Sequence, residues 1–296
     1  MTTSQSLLRG VAESADALAR LDTVVGGAPA GVGSLLMLRT AHEIASRAGA
    51  AVPVDGDFVS LLGWWYGAES REFVPLYAAM RDIAIALDGA AEKARGGRVL
   101  TPLFLEEINA DVRGSAVAPA MGALFQRARV EAWPPLMLVS ELCTGELAAD
   151  KTVTAMIARA VVPVAAALTS HAFVAPAVAN DAAEVLHAMA GDARGALQKL
   201  RDYLAAGDAA KAHAGEFGRG APTARALIDL LIGAPAVTVQ GASAALGVSV
   251  PSVGAAVQRL HEAGVVREIT GRGRDRVFVY EPAIALAVAL AVALAG

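Results

Sequence analysis

The stretch that most constrains this chain is residues 222–280. Three short amphipathic segments there lead into two β-type runs around an arginine-bearing glycine tip. Pro222 suits the first position of a helix, because the N–H it lacks would have no partner there. Ala226, Leu227, Leu230 and Leu231 recur at helical spacing over Thr223 to Ile232. Gly233 and Pro235 end that helix. Thr238 is placed to cap a second helix, with Val239, Ala242, Ala245 and Leu246 turned inward. Gly247-Val248-Ser249 forms a tight turn, since glycine accepts positive φ after a helix end. Ser249 caps a third helix, Pro251 lies in its first turn, and Val253, Val257 and Leu260 form its buried side. Gly264 stops it.

Two β-type runs follow. The first holds Val265, Val266 and Ile269; the second holds Val277, Phe278, Val279 and Tyr280. Between them, Thr270-Gly271-Arg272-Gly273-Arg274-Asp275-Arg276 sets three arginines at every second position. Helix, helix, turn, helix and hairpin in this order predict a winged helix-turn-helix, whose third segment lies where a recognition helix would. Arg272, Arg274 and Arg276 then suit phosphate contact. Thr238, Ser249, Ser252, Ala255, Gln258 and Arg259 complete the expected DNA-facing set. Gln258 suits adenine and Arg259 suits guanine. The other residues on that face are small, so base readout is expected to be modest.

The segment ALIDLLIGAPAVTVQGASAALGVSVPSVGAAVQRLHEAGVVREITGRGRDRVFVYE, residues 226–281, resembles the C-terminal winged helix of bacterial Fic-family proteins. A similar module ends a group of uncharacterised, mostly helical proteins of rhizobial plasmids. The resemblance implies DNA binding or an adaptor role. Upstream, AHEIASRAGA, RGGRVLTPLFLEEINADVRG and WPPLMLVSEL fall in an order similar to helices of the Fic fold. The motif of that family, His-Pro-Phe-x-x-Gly-Asn-Gly-Arg, is not reproduced. After Leu142 the chain reads Cys143-Thr144-Gly145-Glu146-Leu147, and the stretch from His187 to Arg194 lacks the asparagine and the second glycine. No adenylylation is expected.

Charge narrows the options further. The net charge of −4 gives no global basic field. From Ala221 onward, however, six arginines face five acids, so any attraction to DNA is local, as at a wing tip. A lone Cys143 excludes an intrachain disulfide and a cysteine-rich zinc site. His42, His171, His213 and His261 are scattered without metal-ligand spacing. Arg9 and Glu13 interrupt the N-terminal apolar run, which argues against a signal peptide, and a cytoplasmic protein is expected.

Residues 1–217 read as an all-helical domain, residues 218–282 as the winged helix-turn-helix and residues 283–296 as an apolar helix. The fold class expected is therefore mainly α. Residues 1–5 look disordered. A helix over Leu7–Leu21 turns Leu8, Val11, Ala15, Leu18 and Ala19 inward. A loop covers Thr23–Gly33, where Gly26 and Gly31 have phosphate-loop separation but Val32 stands in place of the lysine. Helices follow over Ser34–Ala48, from Asp57 through Phe58, Leu61, Leu62, Trp64 and Trp65, and over Arg71–Ala94 with Phe73, Leu76, Tyr77, Met80, Ile83 and Leu87 inward. Others cover Thr101–Arg113, Ala116–Glu131, Trp133–Leu147 and Lys151–Leu168. Three more cover Asp181–Ala190, Asp192–Ala206 and Asp208–Ala214, and Gly215–Gly220 is a hinge. No strand is expected before Val265. The apolar tail would span about 21 Å as a helix, short of the ~30 Å hydrocarbon core, so it is expected to pack on protein.

Together these features predict a DNA-binding transcriptional regulator, not an enzyme, that takes no cofactor and no metal. Its partners would be double-stranded DNA, a second copy and an unknown small-molecule or protein effector. The alternatives are a degenerate Fic-like nucleotide-using enzyme and a protein-binding adaptor.

Overall fold

The computed structural model describes residues 3–29, 31–47, 49–53, 59, 61–63, 65–66, 78–95, 123–124, 126–127, 130–131, 135–144 and 181–288. Among these the protein is mainly helical, with one small three-stranded sheet. The helices are α1 (Thr3–Gly27), α2 (Val32–Arg47), α3 (Ala78–Arg95), α4 (Pro135–Leu142), α5 (Ala182–Ala214), α6 (Ala221–Gly233), α7 (Val239–Leu246), α8 (Val250–Glu262) and α9 (Glu281–Val288). The strands are β1 (Ala236–Thr238), β2 (Val266–Glu268) and β3 (Val277–Tyr280). A 3₁₀ turn over Gly215–Gly220 joins α5 to α6. Expectations for Asp57, Phe58, Trp64, Phe73, Leu76, Tyr77, Thr101–Arg113, Lys151–Leu168 and His171 lie outside the described residues.

Contacts divide the chain into two compact units. One holds Met1–Gly27, Leu36–Val52 and Ala78–Leu197; the other holds Ala28–Leu35, Pro53–Tyr77 and Gln198–Gly296. The division falls inside α5 rather than in the glycine-rich segment 215–220, where sequence places a hinge.

The first unit is helical. Its α1 buries Gly10, Ser14, Ala17, Leu18, Leu21 and Val25, while Ala15 and Ala19 are exposed and Leu8 is 67% exposed. The buried stripe is thus rotated from the one expected. Small and hydroxyl residues take the inner positions because Gly10 abuts Leu186 and Ser14 Oγ donates to the Leu186 carbonyl at 2.6 Å. The helix also starts by Thr3 and continues to Gly27, which replaces the disordered end and much of the loop expected. Ile44 and Ala45 of α2 and Met80, Ile83 and Leu87 of α3 are buried, and Gly49 with φ 74° ends α2 as anticipated. Cys143 is buried.

Helix α5 runs unbroken for 33 residues where three helices are expected. Asp181 caps it, accepting from the Ala183 and Glu184 amides at 2.7 and 3.1 Å. Glycine in a helix interior costs about 1 kcal/mol against alanine. Burial of Met189, Ala190, Ala193, Ala196, Leu197 and Leu200 outweighs that cost across Gly191 and Gly195. Gly207 has a packing role, since a Cβ there would meet the Ile232 side chain at 2.6 Å.

In the second unit, α6, α7 and α8 pack around Leu227, Ile228, Leu231, Ala242, Val253, Val257 and Leu260. The sheet order is β1-β3-β2, antiparallel throughout. Ala236 pairs with Val279, and Val266 pairs with Tyr280. All four residues of the central β3 are buried. β1 contradicts the expectation of no strand before Val265. It is three residues long and takes its ladder partners from a strand about forty positions later, so no local alternation marks it. The Tyr203 hydroxyl donates to the Ile232 carbonyl at 2.8 Å, and its ring meets Tyr280 edge-on at 5.5 Å. No described helix is long and apolar enough to cross a membrane.

Candidate nucleic-acid interface

Helix α6, strand β1, helices α7 and α8 and the β2–β3 hairpin follow one another in the order of a winged helix-turn-helix. Thr238 closes β1 and caps α7, its Oγ1 accepting from the Gly241 amide at 2.9 Å. Gly247 takes φ 63° and ψ 27°, a left-handed geometry that a side chain would strain. Ser243, not singled out in the sequence, stitches this turn: its Oγ donates to the Val248 carbonyl at 2.6 Å. Ala245, expected inside, is exposed.

Ser249 stands at the N-cap of α8 but makes no side-chain cap. Its hydroxyl lies 2.9 Å from the Ser252 hydroxyl instead. The outward side of α8 carries Val250, Pro251, Ser252, Ala255, Gln258, Arg259 and Glu262, all exposed. Gln258 Nε2 donates to Glu262 Oε1 at 2.9 Å.

Arg259 is not presented as a base reader in this conformation. Its Nη1 donates to the Phe217 carbonyl at 2.7 Å, and its guanidinium lies 5.8 Å from the Phe217 ring centre. A charged donor thereby takes a backbone acceptor of the 3₁₀ turn. Gly220 makes room, because a Cβ there would lie 2.6 Å from Arg259 Nη1. A second arginine supports the same corner: Arg225 Nε donates to the Lys211 carbonyl at 3.2 Å, and Gly215 leaves space for it. Gly218, with φ 61° and ψ −128°, takes a backbone shape reserved for glycine.

The wing is built on an acid that sequence reading overlooked. Glu268 Oε1 accepts from the Thr270 amide at 2.7 Å, from the Gly271 amide at 3.0 Å and from the Thr270 hydroxyl. Thr270 Oγ1 in turn accepts from the Val277 amide at 3.3 Å. Burial alone would raise the Glu268 pKa, but these hydrogen bonds and the nearby Arg276 outweigh it and hold the carboxyl below its usual range. The loop is therefore closed at its neck by the chain's own groups. An acid two residues before Thr-Gly is the signal that would have found it.

Beyond that neck, Gly271 and Asp275 take φ 59° and 51°. Arg274 and Arg276 are exposed and Arg272 is half-buried. Arg276 lies 5.2 Å from the ring centre of Phe278, a contact that orients its stem without neutralising its charge. Arg267 is a different case, since it pairs with Glu281.

The other candidate positions resolve into packing. Gly31, part of the phosphate-loop echo, meets the Gly233 backbone so closely that any Cβ would collide with its carbonyl, and Tyr66 donates to the Gly31 carbonyl at 2.8 Å. His187 and Arg194 lie on one continuous helix, 3.5 and 4.0 Å from Glu13, with no loop between them to wrap a phosphate. His261 Nδ1 lies 3.0 Å from the Val266 carbonyl. In the helical unit, burial lowers the Arg39 pKa and raises that of Glu43, while Glu43 pairs with Arg47. Among the described residues no cluster has the makings of a metal site. No protein-family model matches the chain, and no curated protein matches it.

Proposed function

We propose that this chain is a DNA-binding transcriptional regulator, with α8 and the wing as its duplex-facing surface and the helical unit serving dimerisation or the sensing of an effector. One observation carries the reading: Glu268 and Thr270 close the neck of a loop whose far side holds Arg272, Arg274 and Arg276. A preorganised cationic loop beside a helix-turn-helix meets phosphates at low entropic cost. The likeness of residues 226–281 to the winged helix of Fic-family proteins supports the same reading. The reading assigns no catalysis to the chain, because its sequence does not reproduce that family's motif.

The test is fluorescence anisotropy of a labelled duplex titrated with the full chain. Binding that weakens steeply with salt supports the reading. A flat titration at low salt removes it.

A further inference from the structure

The first half of α8 has no long hydrogen-bonding side chain. Its exposed residues are Val250, Pro251, Ser252 and Ala255. The Ser249 and Ser252 hydroxyls bond each other. The two long donors further along are occupied, Gln258 by Glu262 and Arg259 by Phe217. Val250 is 47% exposed, and it is the one exposed large hydrophobic of the second unit among the described residues.

In helix-turn-helix proteins the N-terminal residues of the second helix meet the base edges. A helix start offering valine and alanine there has one apolar counterpart on the floor of the major groove, the 5-methyl group of thymine. We infer that α8 reads its duplex through thymine methyl groups, with Val250 and Ala255 as the reading residues, so that the bases under the helix are rich in A·T pairs. This rests on the DNA-binding reading above. The polar edges of an A·T and a G·C pair go equally unanswered by these side chains, so the 5-methyl group, which a G·C pair lacks, is the one feature left to discriminate them. The exposed wing arginine Arg274 fits the same sequence class, because A-tracts narrow the minor groove and deepen its negative potential.

The experiment uses the full chain and a random-sequence duplex library. Retained duplexes are sequenced, then resynthesised with deoxyuridine replacing thymidine at single positions, a change that removes only the methyl. At one or two positions the loss should weaken binding about fourfold, the scale for one buried methyl. Val250→Ser, which removes both γ-methyl groups, should abolish the sensitivity at the position under residue 250 while leaving that under Ala255 and the melting temperature unchanged. Equal affinity for thymine and uracil duplexes, or retained sites with G·C pairs under the helix, would overturn this inference and leave DNA binding standing. Retention of no duplex at all would overturn the DNA-binding reading, and this inference with it.

Discussion

Arg259 of α8 and Phe217 of the 3₁₀ turn are joined twice, by a 2.7 Å hydrogen bond to the carbonyl and by the guanidinium lying 5.8 Å from the ring centre. The arginine that sequence places on a guanine thus ties the helix to the corner that leads out of α5. Its expected effect on substitution changes accordingly. Arg259→Ala should lower stability by about 1 kcal/mol, after discounting a charged hydrogen bond for its exposure, or roughly 2–4 °C in melting temperature. Gly220→Ala, which pushes a methyl toward the same guanidinium, should do likewise. The double variant should cost less than the sum, because both changes break one contact. Calorimetry of the three variants checks this; additive losses, or a change in base preference without a loss of stability, would return Arg259 to the groove.

The neck of the wing should respond to acid. Glu268 has its carboxyl held below the usual value of 4.5 in the folded state. Its contribution is therefore complete above that value and is lost as pH falls through the lower, folded one. Hydrogen exchange at the Thr270 and Gly271 amides, both donors to Glu268, should quicken relative to the α6 amides as pH drops below about 4.5. In Glu268→Ala the two amides should exchange fast at every pH. Protection that persists in that variant would show that the neck is held by something else.

Much of the second unit is legible in the sequence because its signals are local. Thr238, Gly247 and Gly264 announce themselves by cap and turn chemistry that acts within a few residues. What escapes is whatever depends on distant partners. β1 exists only because β3 accepts it, and Arg259 finds its acceptor forty-two positions away. The inward face of α1 is set by Leu186, so counting apolar residues favours Leu8 over Gly10 and Ser14 and picks the wrong side. In α5, Asp192, Gly207 and Asp208 look like boundaries, yet buried residues on both sides carry the helix through them.

Two glycines outside the wing should behave oppositely. Gly31→Ala sets a methyl against the Gly233 backbone, which cannot move as a side-chain tip can, and should cost at least about 3 kcal/mol. Gly191→Ala, at an exposed position inside α5 with open space around its Cβ, should gain about 0.5–1 kcal/mol. Denaturant unfolding of each variant gives both signs. A neutral Gly31→Ala would mean that the 28–35 segment does not press on α6.

The most direct measurement is the salt dependence of duplex affinity for the full chain beside its Arg272→Ala, Arg274→Ala, Arg276→Ala triple variant. Three phosphate contacts contribute about 2.7 to the slope of log affinity against log salt. The slope should therefore flatten by about that amount in the variant, with affinity falling alike for all sequences. An unchanged slope and unchanged affinity would contradict a wing that grips the DNA backbone.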